Sequence, residues 1–274
     1  MTSRPTARIA GRTFGGGSLF VIAGPCVLES RDLALRIAEE LVEMSSEREL
    51  PCIFKASFDK ANRTSVSAVR GPGLEAGLEI LAEVRERVGI PVLTDVHLPE
   101  HCAPAAERVD VLQIPAYLCR QTDLLLAAAE TGKTVNVKKG QFLAPWDMRF
   151  VTEKCESTGN RNLLVTERGS FFGYGRLVVD MGGFQYLSQT GHPVVFDATH
   201  SVQLPGTGQG KTGGDRSAVP ALARAAVATG QVDGLFFEVH PDPDSSPSDG
   251  PNMVALDRFA EVLDGVLQVH ASVR

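Results

Sequence analysis

The order of apolar and helical segments constrains the fold more than any other feature of the sequence. Short runs rich in Val, Ile and Phe alternate with longer segments whose apolar residues recur with helical spacing. This alternation is typical of an α/β fold with a parallel sheet and crossover helices. The predicted strands span residues 19–23, 52–56, 92–96, 111–114, 134–138, 163–167, 194–198 and 234–239. The predicted helical segments include residues 32–44, 73–88, 123–130, 217–229 and 256–269.

The number of strand-helix units favours a single (β/α)8 TIM barrel. No Pro/Gly-rich linker separates the units, and a length of 274 residues suits one such barrel. A doubly wound open sheet is the alternative. We therefore expect a barrel domain over residues 19–274 and a short N-terminal leader or hairpin over residues 1–18. Asp32 and Asp123 are the expected N-caps of their helices, because carboxylates accept hydrogen bonds from free backbone N–H groups.

Composition and charge exclude several classes of function. The chain is 43% hydrophobic and 22% charged, as in an ordinary globular protein. With a formal net charge of −6 and no long basic run, it should bind neither nucleic acid nor a membrane surface. No apolar stretch approaches the roughly 20 residues of a membrane span. The cysteines are odd in number and widely spaced, which favours reduced thiols in the cytoplasm. They are Cys26, Cys52, Cys102, Cys119 and Cys155.

Polar residues recur where the predicted strands end. The active site of a parallel barrel lies at the carboxyl ends of its strands, so polar residues concentrated there indicate function. Each residue taken alone has an equally plausible structural role, as a solvated charge or a satisfied ion pair. Their recurrence on successive strands favours a shared site. The residues are Cys26, Lys55, Asp95, Gln113, Lys138, Arg168, Asp197, His200 and Glu238.

Basic residues are enriched among these strand ends although the whole chain is acidic. Buried like charges need a compensating anion, so the ligand should carry several negative charges, as phosphate and carboxylate groups do. A Schiff-base aldolase that uses Lys55 or Lys138 is a chemical alternative, because a lysine close to other cations loses its proton easily. The basic residues are Lys55, Lys60, Arg63, Lys138 and Arg168.

A second group of residues has the chemistry of metal ligands. Cys26, His200, Glu238 and Asp249 offer one thiol, one imidazole and two carboxylates. Such a mixed set suits Mn²⁺, Fe²⁺ or Zn²⁺ better than Ca²⁺ or Mg²⁺, which prefer oxygen ligands. The spacing is not that of a compact zinc motif, so a buried structural cysteine and histidine with surface acids is the alternative.

The glycine-rich segment 206–212 resembles the end of a nucleotide-binding P-loop. Pro205, however, occupies the position of the first required glycine, and the segment does not lead directly into a helix. We therefore expect a mobile glycine-rich loop over the mouth of the barrel.

Several short segments, distributed over much of the chain, share the motifs of one known family. The segments are 23–30 (AGPCVLES), 54–64 (FKASFDKANRT), 113–123 (QIPAYLCRQTD), 136–145 (NVKKGQFLAP), 166–169 (TERG), 196–203 (FDATHSVQ) and 237–241 (FEVHP). They resemble the 3-deoxy-D-manno-octulosonate 8-phosphate synthases, and the resemblance covers nearly the whole chain. The resemblance implies a homotetrameric, cytoplasmic TIM-barrel transferase that condenses phosphoenolpyruvate with D-arabinose 5-phosphate and water. The products are 3-deoxy-D-manno-octulosonate 8-phosphate, a precursor of lipopolysaccharide, and inorganic phosphate.

The resemblance also implies roles for individual residues. Those expected to act in catalysis are Lys60, Asp95, Lys138 and His200. Those expected to contact phosphoenolpyruvate are Lys60, Lys138 and Arg168, with Lys55 and Ala116 nearby. Those expected to hold the sugar phosphate are Asn62, Arg63 and Asp95, with Arg63 reaching the site of a neighbouring subunit. The expected metal ligands are Cys26, His200, Glu238 and Asp249.

Two local differences between related enzymes sharpen this expectation. Metal-independent relatives carry asparagine at the position of Cys26, so the cysteine favours a metal-dependent enzyme. The related synthase that uses erythrose 4-phosphate usually has Lys-Pro-Arg-Thr where this chain has Lys-Ala-Asn-Arg-Thr at 60–64. That enzyme and a non-catalytic sugar-phosphate sensor are the alternatives.

Overall fold

The computed structural model describes residues 4–63, 65–171, 176–208 and 211–273. Strands β1 (Thr6–Ile9) and β2 (Arg12–Gly15) form an antiparallel hairpin. The next seven strands are β3 (Phe20–Gly24), β4 (Cys52–Lys55), β5 (Val92–Asp95), β6 (Val111–Ile114), β7 (Thr134–Lys138), β8 (Leu163–Glu167) and β9 (Val194–Asp197). The last four strands are β10 (Gln203–Gly208), β11 (Lys211–Gly214), β12 (Gly234–His240) and β13 (Val254–Ala255).

Eight parallel strands form a closed barrel. Strands β3 to β9 pair in sequence order, and β12 closes the ring by pairing with both β9 and β3. The short strand β13 adds to the end of β12. Parallel strands connected by helices and closed in this way form a (β/α)8 barrel. The structure therefore confirms the predicted fold class, and the observed strands differ from the predicted ones by at most one residue at either end.

Helices connect the strands and surround the barrel. They are α1 (Arg31–Glu47), α2 (Leu74–Val88), α3 (Pro99–Arg108), α4 (Thr122–Glu130), α5 (Met148–Glu156), α6 (Gly183–Ser188), α7 (Val219–Ala228) and α8 (Leu256–Ser272). Short 3₁₀ turns span Ala116–Leu118, Pro145–Asp147, His200–Val202, Arg216–Ala218, Pro243–Ser245 and Gly250–Asn252. None of the helices within the described ranges combines the length and apolar content that a bilayer span requires. All five cysteines lie in these ranges, and each is a buried free thiol.

The predicted N-caps were wrong. Ser30 caps α1, and its Oγ accepts a hydrogen bond of 3.2 Å from the backbone N–H of Leu33. Gln121 precedes α4 and makes no side-chain cap. Asp32 and Asp123 lie inside the first turns, where a carboxylate stabilises the positive end of the helix dipole without capping it.

Apolar and polar residues divide the barrel strands into two faces. Along β7, Val135 and Val137 face outward into the large core between barrel and helices, whereas the alternate residues Asn136 and Lys138 face inward. All residues of β7 are buried, so the inward polar groups must find partners inside the barrel. The polar interior therefore lies toward the carboxyl ends of the strands.

The hairpin β1–β2 closes the opposite end of the barrel. Ala7, Ile9 and Phe14 are buried against the inward apolar residues of the strands. Thr134, the first residue of β7, donates a hydrogen bond of 3.0 Å from Oγ1 to the carbonyl of Arg8. The barrel residues in this cluster are Phe20, Ile22, Ile53, Leu93, Val111, Leu164, Val195 and Phe236. The amino-terminal end of the barrel is thus filled by apolar side chains.

The glycine-rich segment differs from the loop expected at 206–212. Strands β10 and β11 pair antiparallel there, with Gln203 opposite Gly214 and Gly208 opposite Lys211. The register shifts between Leu204 and Gly208, as in a bulged hairpin. Residues 209–210 lie outside the described part of the chain. The expected loop is therefore an irregular hairpin whose backbone groups pair with each other.

Replacing Phe14 by alanine tests the role of the hairpin as a plug. Phe14 is 2% exposed, and its ring meets that of Phe20 edge-on at 5.5 Å. Phe14→Ala should lower the free energy of unfolding by about 3–5 kcal/mol in urea denaturation. Phe150→Ala, at a residue that is 48% exposed, should change it by no more than about 0.5 kcal/mol. Equal effects of the two substitutions would contradict the plug.

Candidate active site

A cavity of about 190 Å³ opens at the carboxyl ends of the barrel strands. It brings together nine of the residues that the sequence analysis singled out: Lys55, Lys60, Asn62, Asp95, Gln113, Ala116, Lys138, Arg168 and His200. The remaining lining residues are Ala61, His97, Pro115, Tyr117, Leu118 and Gln141. Arg63 does not line the cavity. Its Nη1 donates to Ser248 Oγ at 2.7 Å and its Nε to the carbonyl of Val69 at 2.9 Å.

A chain of neutral hydrogen bonds lies inside the barrel at the cavity floor. Thr166 Oγ1 donates to Asn136 Oδ1 at 2.6 Å, and Asn136 Nδ2 donates to Gln113 Oε1 at 2.9 Å. All three residues are buried. Because Gln113 also lines the cavity, this chain fixes the orientation of an amide that faces a ligand.

Lys138 and His200 share one buried carboxylate. Asp197 Oδ2 lies 2.5 Å from Lys138 Nζ and 2.8 Å from His200 Nδ1. Burial alone would raise the pKa of Asp197, but the charges of His200 and Lys138 hold it below its ordinary value. Burial lowers the pKa of Lys138, and Asp197 opposes that effect. The ammonium also lies 3.7 Å from the centre of the Phe236 ring, a cation–π contact.

Glu238 is the other buried carboxylate at the centre of the site. Its Oε1 lies 3.2 Å from Lys55 Nζ, 3.4 Å from His200 Nε2 and 3.7 Å from Lys60 Nζ. Burial alone would raise the pKa of Glu238, but His200 and the two lysines hold it well below its ordinary value. Oε2 is buried and has no hydrogen-bond partner in the described part of the chain. An unpaired carboxylate oxygen in the interior indicates a missing cation or donor.

Cys26, Glu238 and Asp249 form a compact group of possible metal ligands. One donor atom from each lies within 4.8 Å of the other two. Cys26 Sγ is 3.2 Å from Asp249 Oδ2 and 3.0 Å from Ser248 Oγ. Burial and the charge of Glu238 raise the pKa of Cys26 well above its ordinary value, so a bound cation would be needed to favour the thiolate.

His200, the fourth predicted ligand, lies beside this group. Asp197 engages its Nδ1, which leaves Nε2 directed toward Glu238. A carboxylate on one imidazole nitrogen is the usual arrangement when the other nitrogen binds a metal. The buried, unpaired Glu238 Oε2 and the mixed sulfur, nitrogen and oxygen donors therefore fit a divalent transition ion.

Lys60 and Asp95 also line the cavity. Burial alone would lower the pKa of Lys60, but the charges of Cys26, Glu238 and Asp95 raise it well above its ordinary value. Burial alone would raise the pKa of Asp95, but a hydrogen bond from His97 and nearby lysines hold it below its ordinary value. Asp95 Oδ2 is 3.0 Å from His97 Nε2. Lys60 is thus a cation and Asp95 an anion at neutral pH.

Arg168 presents a buried donor that the protein leaves unused. Its Nη2 donates to Gln203 Oε1 at 2.6 Å, whereas Nη1 has no partner within the described ranges. Glu167 Oε1 accepts hydrogen bonds from the backbone N–H groups of Arg168 and Gly169 at 3.0 and 2.6 Å. Lys139 Nζ lies 3.5 Å from the same oxygen. This buried pair fixes the turn that carries the guanidinium, and the free N–H groups can bind an anion.

Comparison with known proteins gives the family. The model of the DAHP synthetase I family matches residues 6–273. The chain belongs to this family. Three relatives are 2-dehydro-3-deoxyphosphooctonate aldolases. The Granulibacter bethesdensis protein is 63% identical over 252 residues, 91% of this chain and 89% of the relative. The Trichlorobacter lovleyi protein is 58% identical in an alignment that covers 95% of this chain and 96% of the relative. The Syntrophobacter fumaroxidans protein is 57% identical in an alignment that covers 97% of this chain and 92% of the relative.

These matches confirm the resemblance found in the sequence.

The structure also shows contributions from residues to which the sequence analysis gave no role. His97 follows Asp95, the last residue of β5, by two residues, and this spacing of side chains on one face of an extended segment could have revealed it. Asp197 was recognised at a strand end but given no role. Gln203 and Lys139 carry no comparable signal, because their partners come from distant segments of the chain.

Removing the Asp197 carboxylate tests the electrostatics of the site. Asp197→Asn leaves the buried Lys138 ammonium without its counter-charge and His200 Nδ1 without its carboxylate partner. We expect the free energy of unfolding to fall by about 3–5 kcal/mol, and turnover to fall at least tenfold because Lys138 and His200 lose their common anchor. Asp244→Asn, whose side chain is 82% exposed, is the matched control and should stay close to wild type in both measurements. Wild-type stability and turnover in Asp197→Asn would refute this account.

Proposed function

We propose that this protein condenses phosphoenolpyruvate with D-arabinose 5-phosphate and water, giving 3-deoxy-D-manno-octulosonate 8-phosphate and inorganic phosphate. One observation carries the proposal. A cavity lined by Lys55, Lys60, Lys138 and Arg168 lies beside a thiol–carboxylate group in a protein of net charge −6. Such a site suits two phosphorylated substrates and a metal ion. The shared name of the relatives, each aligned over more than nine tenths of this chain, supports it.

Arg168 and Lys138 are the proposed anchors of phosphoenolpyruvate, with Lys55 and the Ala116 backbone nearby. The free Nη1 of Arg168 can donate to the phosphate or the carboxylate of the substrate. Lys138, which Asp197 holds in place, supplies a second positive charge for the same substrate. When C3 attacks the sugar aldehyde, positive charge develops at C2, and water adds there. The resulting hemiketal phosphate loses phosphate by C–O cleavage, and the same two cations stabilise the leaving group.

Asn62 and Asp95 are the proposed sugar-side residues, and Lys60, a proposed contact of phosphoenolpyruvate, is also the proposed catalytic donor to the sugar aldehyde. Lys60 keeps its proton because of the surrounding negative charges, so it can donate a hydrogen bond to the aldehyde oxygen as that oxygen becomes an alkoxide. The Asp95 carboxylate can accept hydrogen bonds from sugar hydroxyls. Both groups are held by buried contacts, which favours a fixed orientation of the sugar.

Arg63 is proposed to act at the site of a neighbouring subunit in a homotetramer. It does not line the cavity of its own chain and donates to Ser248 Oγ, which also contacts Cys26 Sγ. The connection between β4 and α2, which contains Arg63, also contains Val66 and Val69, which are 104% and 58% exposed. Exposed apolar residues beside a partly buried arginine suit a contact with a second copy. A cytoplasmic location and a role in lipopolysaccharide synthesis belong to the same proposal.

Cys26, Glu238, Asp249 and His200 are the proposed ligands of a divalent transition ion such as Mn²⁺, Fe²⁺ or Zn²⁺. When bound, this ion would supply Lewis acidity that orients the aldehyde or acidifies a water molecule. Asp197 would keep the His200 ring in place and direct Nε2 to the ion. The buried Oε2 of Glu238 would gain the partner that the protein does not provide.

The alternatives fit the site less well. Lys55 contacts the buried Glu238 and Lys138 the buried Asp197, and these contacts occupy the amino groups that a Schiff base would need. A sensor that binds sugar phosphate would need neither the metal group nor the shared Asp197 carboxylate. The erythrose 4-phosphate enzyme gains no support from the three relatives, whose name specifies an octonate.

Phosphate release tests the reaction and its sugar. With phosphoenolpyruvate present, arabinose 5-phosphate should give a kcat/KM at least about 100-fold higher than erythrose 4-phosphate, a difference of about 2.7 kcal/mol in transition-state binding. Release should cease when either substrate is omitted. Comparable constants for the two sugars would contradict the proposed substrate, and no release with either would favour the sensor.

Cys26→Asn tests the metal requirement. Chelation should abolish wild-type activity, and Mn²⁺ should restore it. In Cys26→Asn, metal analysis of the purified protein should show most of the bound ion lost, because an amide is a poor ligand for such an ion. Some chelator-resistant activity should remain. Cys155→Ser, at another buried cysteine remote from the site, is the control and should retain the metal. Full activity of metal-free wild-type protein would refute the requirement.

A further inference from the structure

Gln203 lies between the two halves of the site. Its Oε1 accepts a hydrogen bond of 2.6 Å from Arg168 Nη2, and its Nε2 donates one of 2.9 Å to Asp249 Oδ1. Each partner keeps a second atom for a ligand. Arg168 Nη1 is buried and unpaired in the described part of the chain, and Asp249 Oδ2 lies 3.2 Å from Cys26 Sγ. One side chain thus joins the anion-binding arginine to a metal-binding carboxylate.

We propose that Gln203 couples these two sites, so that a bound metal ion strengthens phosphoenolpyruvate binding and the reverse. This inference rests on the proposed function, because it takes Arg168 as an anion site and Asp249 as a metal ligand. Gln203 is a positioning residue in this account, and neither substrate nor metal contacts it.

The chemistry of the two partners calls for an amide. A guanidinium can only donate hydrogen bonds, and a carboxylate can only accept them. The residue between them must accept at one end and donate at the other, which also fixes which end of the amide is oxygen. A carboxylate at position 203 would repel Asp249, and an ammonium would repel Arg168. Glutamine satisfies both partners without adding a charge.

The backbone around Gln203 supports the same arrangement. Gln203 pairs with Gly214 at the base of the β10–β11 hairpin. A Cβ atom at Gly214 would lie 1.5 Å from Asn252 Oδ1, so the glycine lets the 249–252 segment lie against the hairpin base. Asp249 itself has a left-handed backbone with φ of 53°. The amide can therefore reach both partners only when the hairpin and the metal-ligand segment are in contact.

A hydrogen-bonded chain of this kind transmits order and polarisation. A ligand that fixes Arg168 also fixes the amide, and the amide then holds Asp249 in the position that the metal needs. Thermodynamic linkage requires the same factor in both directions, typically about 5- to 150-fold. Direct attraction between metal ion and anion acts whatever residue occupies position 203, so it forms a background that substitution at Gln203 leaves in place.

Binding without turnover tests the coupling. The dissociation constant of phosphoenolpyruvate is measured by calorimetry on metal-free and Mn²⁺-loaded protein, with no sugar present. The dissociation constant of Mn²⁺ is measured by electron paramagnetic resonance with and without phosphoenolpyruvate. In wild type, Mn²⁺ should lower the dissociation constant of phosphoenolpyruvate by the same factor as phosphoenolpyruvate lowers that of Mn²⁺, and this ratio should be about fivefold or more. In Gln203→Met, which removes donor and acceptor together, both ratios should fall at least threefold toward the direct background.

Two further variants make the result specific. Gln203→Glu keeps an acceptor for Arg168 but loses the donor to Asp249. The ratio of dissociation constants measured without and with the other ligand should therefore also fall, even if the added charge changes each affinity. This variant carries the test if circular dichroism shows that Gln203→Met is unfolded. Gln185→Met, on the exposed face of α6, makes the same change elsewhere and should keep the wild-type ratio.

The outcomes separate this inference from the proposed function. Equal ratios in wild type and the Gln203 variants would overturn the coupling alone. A wild type that binds phosphoenolpyruvate but no Mn²⁺ would overturn the metal site and the coupling together. A wild type that binds Mn²⁺ but no phosphoenolpyruvate would overturn the anion site and the coupling together.

Discussion

The cost of burying charge determines the organisation of this site. Lys55, Lys138 and Arg168 are almost wholly buried, as are the carboxylates of Asp197 and Glu238. An unpaired charge in such surroundings costs several kcal/mol, so each group depends on its counter-charge for its position. Among these five groups, two atoms have no partner in the described part of the chain, Arg168 Nη1 and Glu238 Oε2. One needs an anion and the other a cation, which is the combination that two phosphorylated substrates and a metal ion would bring.

The barrel makes this concentration of charge possible by separating it from the apolar interior. The hairpin β1–β2 and the inward apolar residues fill the amino-terminal end. Above them the neutral chain of Thr166, Asn136 and Gln113 provides a satisfied polar layer. The charged groups come last, at the carboxyl ends, where the connecting loops can bring further residues. Phe236 belongs to both regions, since its ring packs in the apolar cluster and also lies next to Lys138.

Much of this organisation could be predicted from local patterns. Short apolar runs located all eight barrel strands, and six of the nine polar residues noted at the strand ends line one cavity. Helix ends were less predictable, because Ser30 and Asp32 are both acceptable caps and the choice depends on where the backbone leaves the strand. The glycine-rich segment was expected to be a loop, since hairpin pairing between irregular strands has no clear periodic signal.

Local sequence patterns were sufficient to identify the side chains that reach the carboxyl ends of the strands, because alternation along a strand is a local property with a fixed period of two. The sequence also provided the chemical types that suit anions and a transition ion. The pairing of the charges, in contrast, depends on the tertiary structure. Asp197 bridges Lys138 and His200, Arg63 binds Ser248 and does not line the cavity, and Gln203 joins Arg168 to Asp249. Apart from the local contact between Asp197 and His200, these contacts join segments far apart in the chain, and their distances are set by barrel closure and by the packing of the β10–β11 hairpin on the 249–252 segment.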